Sequence, residues 1–259
     1  MNGPWFSQEE AQARNDIYVG DSVRFGQNVR IGTGVIIYDN VEIEDDVFIG
    51  PQVIVGEPLT AFYTDENYSN PKTFIGKGSI IRAKSTIYAG SSFGEGFQTG
   101  INVIIREYSN FGKNCSLGSL SQVEGYINIG DYCRFHTNVH LCQKAVIKNY
   151  VWIFPYVVLT NDPHPPCAKC MEGPTIEDYA VIATHSIIMP KVRIGNNSLV
   201  GAHSLVMQDV PDNCVVVGSP AKKVKNIEDI ECPLGIVERP YPWRNIVKRN
   251  YPWAKNNES

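Results

Sequence analysis

The sequence predicts an all-β chain wound as a parallel β-helix of about nine coils, interrupted by two loops and followed by a C-terminal extension. Two observations predict it. An apolar residue recurs at a strict period of six through most of the chain, and the period breaks twice, at polar or proline-rich segments, then resumes.

The repeat starts at Val19 and runs through Phe25, Ile31, Ile37, Ile43, Ile49 and Val55, often followed by glycine, as in VGDSVR and FGQNVR. It resumes at Ile75 and continues every sixth residue to Leu159, and a third block runs from Ile176 to Val206. Of the 28 anchors 27 are apolar, and Thr99 is the exception. A period of six fits neither a helix nor a long alternating strand, but short strands joined by two-residue corners produce it. Four residues past most anchors stands a small or β-branched residue, such as Val23, Val29, Ser79, Ser85, Cys115, Cys133, Ala145, Val151 or Ser198. Both positions are expected to point into a narrow interior. Three flat faces close a prism, so one coil takes three hexapeptides and residues one coil apart stack on neighbouring rungs.

The first interruption, residues 57–73, is polar and aromatic, and the second, residues 161–175, is rich in proline. Loops on a rigid scaffold are favoured places for function. Residues 1–225 thus form the coiled domain, and residues 226–259 an extension with two Tyr-Pro-Trp triplets that is expected to cap the prism's open end.

The chain has 259 residues, 43% of them hydrophobic, enough to fill a core. With 23 Lys+Arg against 27 Asp+Glu, the net charge of −4 supplies no basic field for nucleic acid. No apolar run is long enough to span a bilayer, and the N-terminus lacks the pattern of a secretory signal, so a soluble, cytoplasmic protein is expected. Seven cysteines at irregular spacing favour reduced thiols over a disulfide framework.

Stacking by whole coils singles out one corner. One column runs Tyr88, Arg106, Glu124, Cys142 and Thr160, and its neighbour runs Ala89, Glu107, Gly125, Gln143 and Asn161. Polar groups gather there just where the second loop departs, with His140 on the strand that enters the corner.

The repeat, together with GSPAKK after the last coil, resembles the hexapeptide-repeat acyltransferases, whose fold is a left-handed parallel β-helix. The segment TNDPHP, Thr160 to Pro165, is similar to the loop in which those enzymes that acetylate sugars and xenobiotics carry a basic histidine; His164 matches it. The wider stretch from Ile75 to Pro166, with SIIRAKSTIYAG, HTNVHLCQK and VWIFPYVVLTNDPHPP, resembles the N-acetyltransferases of dTDP-3-amino-3,6-dideoxyhexoses.

That resemblance implies acetyl-CoA as cosubstrate, no metal, a nucleotide-linked amino sugar as acceptor, and a homotrimer with sites between subunits. It implies that Gln143, Asn161 and Asp162 hold the sugar and its amine, with His140 and Glu124 nearby. Arg106 or Arg134 would meet the diphosphate, and Tyr63, Asn67 and Tyr68 of the first loop the thymine. Backbone at Ala183, Thr184, Gly201 and Ala202 would face the pantetheine arm, with Pro220, Lys222 and Lys223 near its phosphates. The competing reading is an O-acetyltransferase with His164 as general base, since imidazole titrates near neutrality.

A remoter alternative is a γ-class carbonic anhydrase, which needs three converging histidines. None of His136, His140, His164, His185 and His203 form a pair two coils apart with a nearby third. Cys167 and Cys170 make one C-x-x-C, two ligands short of a structural zinc site, and read as plain loop thiols.

Overall fold

The computed structural model describes residues 5–236 and 238–243. Short parallel strands, most of two residues, stack into three sheets. The first face carries ten strands from Tyr18–Val19 to Leu205–Val206, the second nine from Arg24–Phe25 to Arg193–Ile194, and the third eleven from Arg30–Ile31 to Ala221–Asn226. Away from the loops the rungs are in register every third hexapeptide, as in Ser116 beside Arg134 and Arg134 beside Trp152. This is the parallel β-helix that the hexapeptide period predicts, with slightly more rungs on two faces than the expected nine.

The anchors are buried, apart from Val19 and Phe25 of the first coil, which are half-buried. Thr99 is buried too, and its hydroxyl accepts the Arg82 N–H at 2.8 Å, which explains one polar anchor. The buried serines of the second inward position donate to corner carbonyls: Ser79 to Gly76 at 2.6 Å, Ser204 to Gly201 at 2.7 Å. Cys115 and Cys133 do the same with the carbonyls of Gly130 and Lys148. Small donors at this position therefore fill the prism and satisfy its corners together.

Most corners place a residue in the left-handed region, and many of these are not glycine: Asn28, Asp46, Asn114, Tyr132, Tyr150, Tyr179, His185 and His203 all have φ between 53° and 60°. Such a conformation costs a non-glycine residue about 1–2 kcal/mol, less for Asn and Asp. Rings at these positions recover part of it by stacking along the axis. Tyr132 lies on Tyr150 at 5.0 Å and 4°, Tyr150 on Tyr179 at 4.8 Å and 3°, and His185 on His203 at 4.9 Å and 1°.

Both ends are covered. Residues before the first coil form a short helix, Gln8–Gln12, fixed by a reciprocal cap between Ser7 and Glu10, and Phe6 pairs antiparallel with Ile31. The sequence carries that signal as S-x-x-E. At the other end Cys214–Gly218 continues the third face and turns back antiparallel as Ala221–Asn226. This hairpin puts Lys222, Lys223 and Lys225 on the last edge, where charge discourages further strand pairing.

The extension departs from expectation. Ile227 is buried beside the last coil, but the first Tyr-Pro-Trp triplet lies along a flank instead of across the end. Trp243 packs on Trp152 at 5.2 Å and on Tyr179 at 5.7 Å, and its indole N–H donates to the Tyr179 carbonyl at 2.8 Å. Trp152 stands three rungs back from the hairpin, so the tail doubles back; an indole needs both a flat apolar surface and an acceptor, and this flank has both. The second triplet lies outside the described residues. No helix among the described residues is long and apolar enough to cross a membrane.

Candidate active site

The second loop leaves the prism after the strand Val158–Leu159 and returns at Thr175–Ile176. Its departure is pinned by the Glu172 N–H on the Asn161 carbonyl at 2.8 Å and by the Lys144 ammonium on the Met171 carbonyl at 3.1 Å. Where it rejoins, Gly173 lies against the backbone of Ala145, and any Cβ there would collide with it. The loop therefore stands as a wall over the corner between the first and second faces.

Beneath the wall lies a cleft of about 510 Å³. Its polar lining comes from Glu124, His140, Gln143, Thr160, Asn161 and Asp162, and its apolar lining includes Val158, Met171 and Met189. The Asn161 amide donates to the Gln143 carbonyl one rung away at 3.3 Å, which fixes which side of Asn161 faces the cleft. The Asp162 carboxylate accepts the N–H groups of His164 at 3.2 Å and Ala168 at 3.4 Å, so the loop's own backbone holds it in place. Cys142 also lines the cleft, but burial, with the charge of Glu124 adding, pushes its thiol up to about 12, which keeps it protonated and unreactive as a nucleophile.

The structure thus brings together Gln143, Asn161, Asp162, His140 and Glu124. Other expected residues lie elsewhere. His164 sits exposed on the loop and does not line the cleft. Arg106 stands beside the corner, but its guanidinium is held bidentately by Glu107 at 3.0 Å and lies 3.8 Å from Glu124, so two carboxylates already neutralise the charge meant for a diphosphate. Arg134 is on the third face over the Trp152 ring, because the coil register assigns it to a different strand.

The first loop leaves the same corner five rungs earlier, about 24 Å away at ordinary strand spacing. The Tyr68 hydroxyl is engaged inside that loop, donating to Asn70 at 2.6 Å and accepting the Leu59 N–H at 3.0 Å. The Asn67 N–H turns onto Asp65 at 2.9 Å, and Tyr63 lies exposed against Phe62. None of the three reaches the cleft of its own chain.

The other corner of the first face holds the second expected cluster. Along it the column runs Gly118, His136, Phe154, Ala183, Gly201 and Val217. The side chains shrink at Ala183 and Gly201, where a Cβ on Gly201 would meet Val217, and Thr184 and Ala202 stand beside them. The hairpin turn at Pro220 closes this edge through the Gly218 N–H on Ser204 at 3.2 Å. Lys222 pairs with Val217 and Lys223 with Val216, so the two ammonium groups leave opposite faces of one strand and do not act as a pair.

Met171 and Met189 went unread in the sequence. The column Glu124, Cys142, Thr160 continues to Met189 once the loop's eleven extra residues are added to the coil period, as the Thr160 N–H on the Ile188 carbonyl shows. That offset was the available signal.

Residues 22–57 match the family described as bacterial transferase hexapeptide (six repeats), and residues 191–218 the hexapeptide repeat of succinyl-transferase. The chain is 32% identical over 130 residues to a galactoside O-acetyltransferase of Lactococcus lactis, covering 47% of this chain and 58% of that protein. It is 32% identical over 94 residues to a 2,3,4,5-tetrahydropyridine-2,6-dicarboxylate N-acetyltransferase of Staphylococcus aureus, covering 36% and 33%. Among solved structures, a hexapeptide-repeat acetyltransferase from Vibrio cholerae is 29% identical, with 40% of this chain and 64% of that one covered and a TM-score of 0.34. The chain therefore spans between a third and three fifths of the curated relatives it matches. By its repeat and these two family matches, the chain is similar to the hexapeptide-repeat transferases over the matched segments.

Proposed function

We propose that the protein transfers an acetyl group from acetyl-CoA to the amino group of a nucleotide-linked sugar, a dTDP-3-amino-3,6-dideoxyhexose. The observation that carries this reading is the membership of the cleft: Asn161, Asp162 and Gln143 line it, the Asn161 amide bonded to the Gln143 backbone carbonyl, while His164, the base of the competing reading, is not part of its lining. His140 and Glu124 complete the polar wall toward the sugar.

The chemistry needs little more than placement. The free amine attacks the thioester carbon, the carbon–sulfur bond breaks, CoA leaves as its thiol and the amine's proton passes to the thiolate or to solvent. An amine already in its neutral form needs no base for the attack, so orientation by Asn161 and Asp162 dominates. The small-residue corner at Ala183, Thr184, Gly201 and Ala202 fits a narrow pantetheine arm, and on this reading Pro220 and either Lys222 or Lys223, each acting singly, would serve its phosphates. Acetyl-CoA and reduced thiols coexist in the cytoplasm, which is where this reading places the enzyme.

Exposed Ile104 and Ile187 on the first face need cover, and a homotrimer supplies it, with the site shared between neighbours. A monodisperse monomer at micromolar concentration would contradict that arrangement.

The second reading, O-acetylation with His164 as base, draws on the O-acetyltransferase among the relatives. One experiment separates the two. Thiol release from acetyl-CoA is followed with a panel of dTDP-amino sugars, free amino sugars and hydroxyl acceptors. Turnover confined to nucleotide-linked amines supports the proposal; equal rates with unlinked aminohexoses, or turnover only with hydroxyl acceptors, would overturn it.

A further inference from the structure

The second loop carries a constellation that the transfer reaction does not use. The ligand atoms of His164, Cys167 and Cys170 all lie within 4.8 Å of one another. The two sulfur atoms are 3.8 Å apart, and two thiolates on tetrahedral zinc, each at about 2.3 Å, stand about 3.8 Å apart. We propose that these three side chains form a site for a thiophilic divalent cation, zinc above all, that clips the second loop into its wall over the cleft.

Several features converge on it. The sequence H-x-x-C-x-x-C supplies three soft or borderline donors within seven residues, one more than the C-x-x-C that reads as plain thiols. The backbone turns to gather them: the Cys167 N–H donates to the His164 carbonyl at 3.2 Å, and Ala168 takes φ 52°, which swings Cys170 back toward Cys167. Pro163, Pro165 and Pro166 restrict the approach, so less backbone freedom is lost on ligation. His164 and Cys170 are exposed and Cys167 is half-buried, leaving the ion an open path.

Charge and protons balance. Two thiols lose their protons to solvent as they ligate, the imidazole binds neutral, and the dication is neutralised within the loop. Three protein donors leave one tetrahedral position for water or an exogenous group. Ligation also constrains the catalytic wall, because Asp162 accepts the N–H groups of His164 and Ala168 inside the same turn. A ligated His164 has its lone pair on the metal and cannot serve as a base. The proposal rests on no part of the transferase reading, and its test does not measure acetyl transfer.

The full-length protein, stripped with a chelator and kept reduced with a phosphine, is titrated with cobalt(II). The expected result is one equivalent bound with a thiolate-to-cobalt charge-transfer band in the near ultraviolet, about two protons released, and displacement by zinc. Cys167→Ser and Cys170→Ser should each erase the band and weaken zinc binding about a hundredfold, and His164→Ala about tenfold or more. Cys232→Ser should leave both unchanged, and circular dichroism should show the coil intact in every variant. Absence of stoichiometric uptake, an unchanged band in the Cys167/Cys170 double variant, or conversion of this pair to a disulfide in preference to binding would each overturn the proposal.

Discussion

Asn161 stands one rung above Gln143 and donates its side-chain amide to the Gln143 carbonyl at 3.3 Å, so the entry to the second loop is tied to the coil beneath it. The bond makes the geometry of the cleft a property of the rigid prism. Asn161→Ala and Asp162→Ala are each expected to lower kcat/KM about ten- to a hundredfold, the cost of losing a hydrogen bond to a charged group. Gln143→Ala should be milder. If the acceptor is the proposed amino sugar, His164→Ala should cost less than either, because an amine with a pKa roughly one unit above neutrality is already about one tenth free base. kcat/KM against pH for the four variants checks the order; abolition by His164→Ala alone, with loss of an acid limb near neutrality, would reverse the mechanism.

The tyrosine ladder should be cooperative. Tyr150 lies between Tyr132 and Tyr179 with rings almost parallel on both sides. Tyr150→Ala should destabilise the protein by about 1–3 kcal/mol, combining lost stacking with an unrelieved left-handed backbone. A double-mutant cycle with Tyr132→Ala, read from urea unfolding, should show a coupling of about 0.5–1.5 kcal/mol. Additive effects would mean that the rings merely coincide.

Cys142 gives a pH dependence with a definite sign. Its thiol is raised from 9.0 to about 12 in the folded state, chiefly by burial. Its protonated form therefore contributes full stability below pH 9, and that contribution is lost as pH rises from 9 toward 12, where the unfolded chain releases the proton more readily. Cys142→Ala should show a shallower loss of stability than the native protein across this window. At pH 8, in protein stripped of metal with a chelator, alkylation followed by mass spectrometry should modify the more exposed Cys167 and Cys170 well before buried Cys142.

Trp243→Ala should free the tail from its flank. It removes the bond to the Tyr179 carbonyl and uncovers Trp152. The expected readout is a red-shifted tryptophan emission with only a small fall in Tm, since the coils beneath remain complete. An unchanged emission maximum would show that the tail does not rest there in solution.

The fold was legible because a prism repeats one decision many times: each anchor and each small inward residue tests the same register, and Thr99 was the one anchor out of type. Stacking by whole coils likewise put Gln143 beneath Asn161 without coordinates. It failed where the chain leaves the lattice. Arg106 faces the right corner, but its capture by Glu107 depends on rotamers that spacing does not determine. His164, Cys167 and Cys170 meet through a turn whose path the period does not describe. The tail's destination on Trp152 also depends on a surface assembled from three separate rungs.

Two excursion loops leave a single edge of the prism five rungs apart, and between them every rung is a hydrogen-bonded repeat. The coil is consequently a ruler with fixed graduations. Evolution or design can lengthen or shorten the span between the loops only in whole steps of about 4.8 Å, since any other insertion would rotate one loop onto a different face. Removing residues 95–112, one full coil, should bring the loops one graduation closer while leaving each internally unchanged. Removing six or twelve residues would instead send them out on different sides of the molecule.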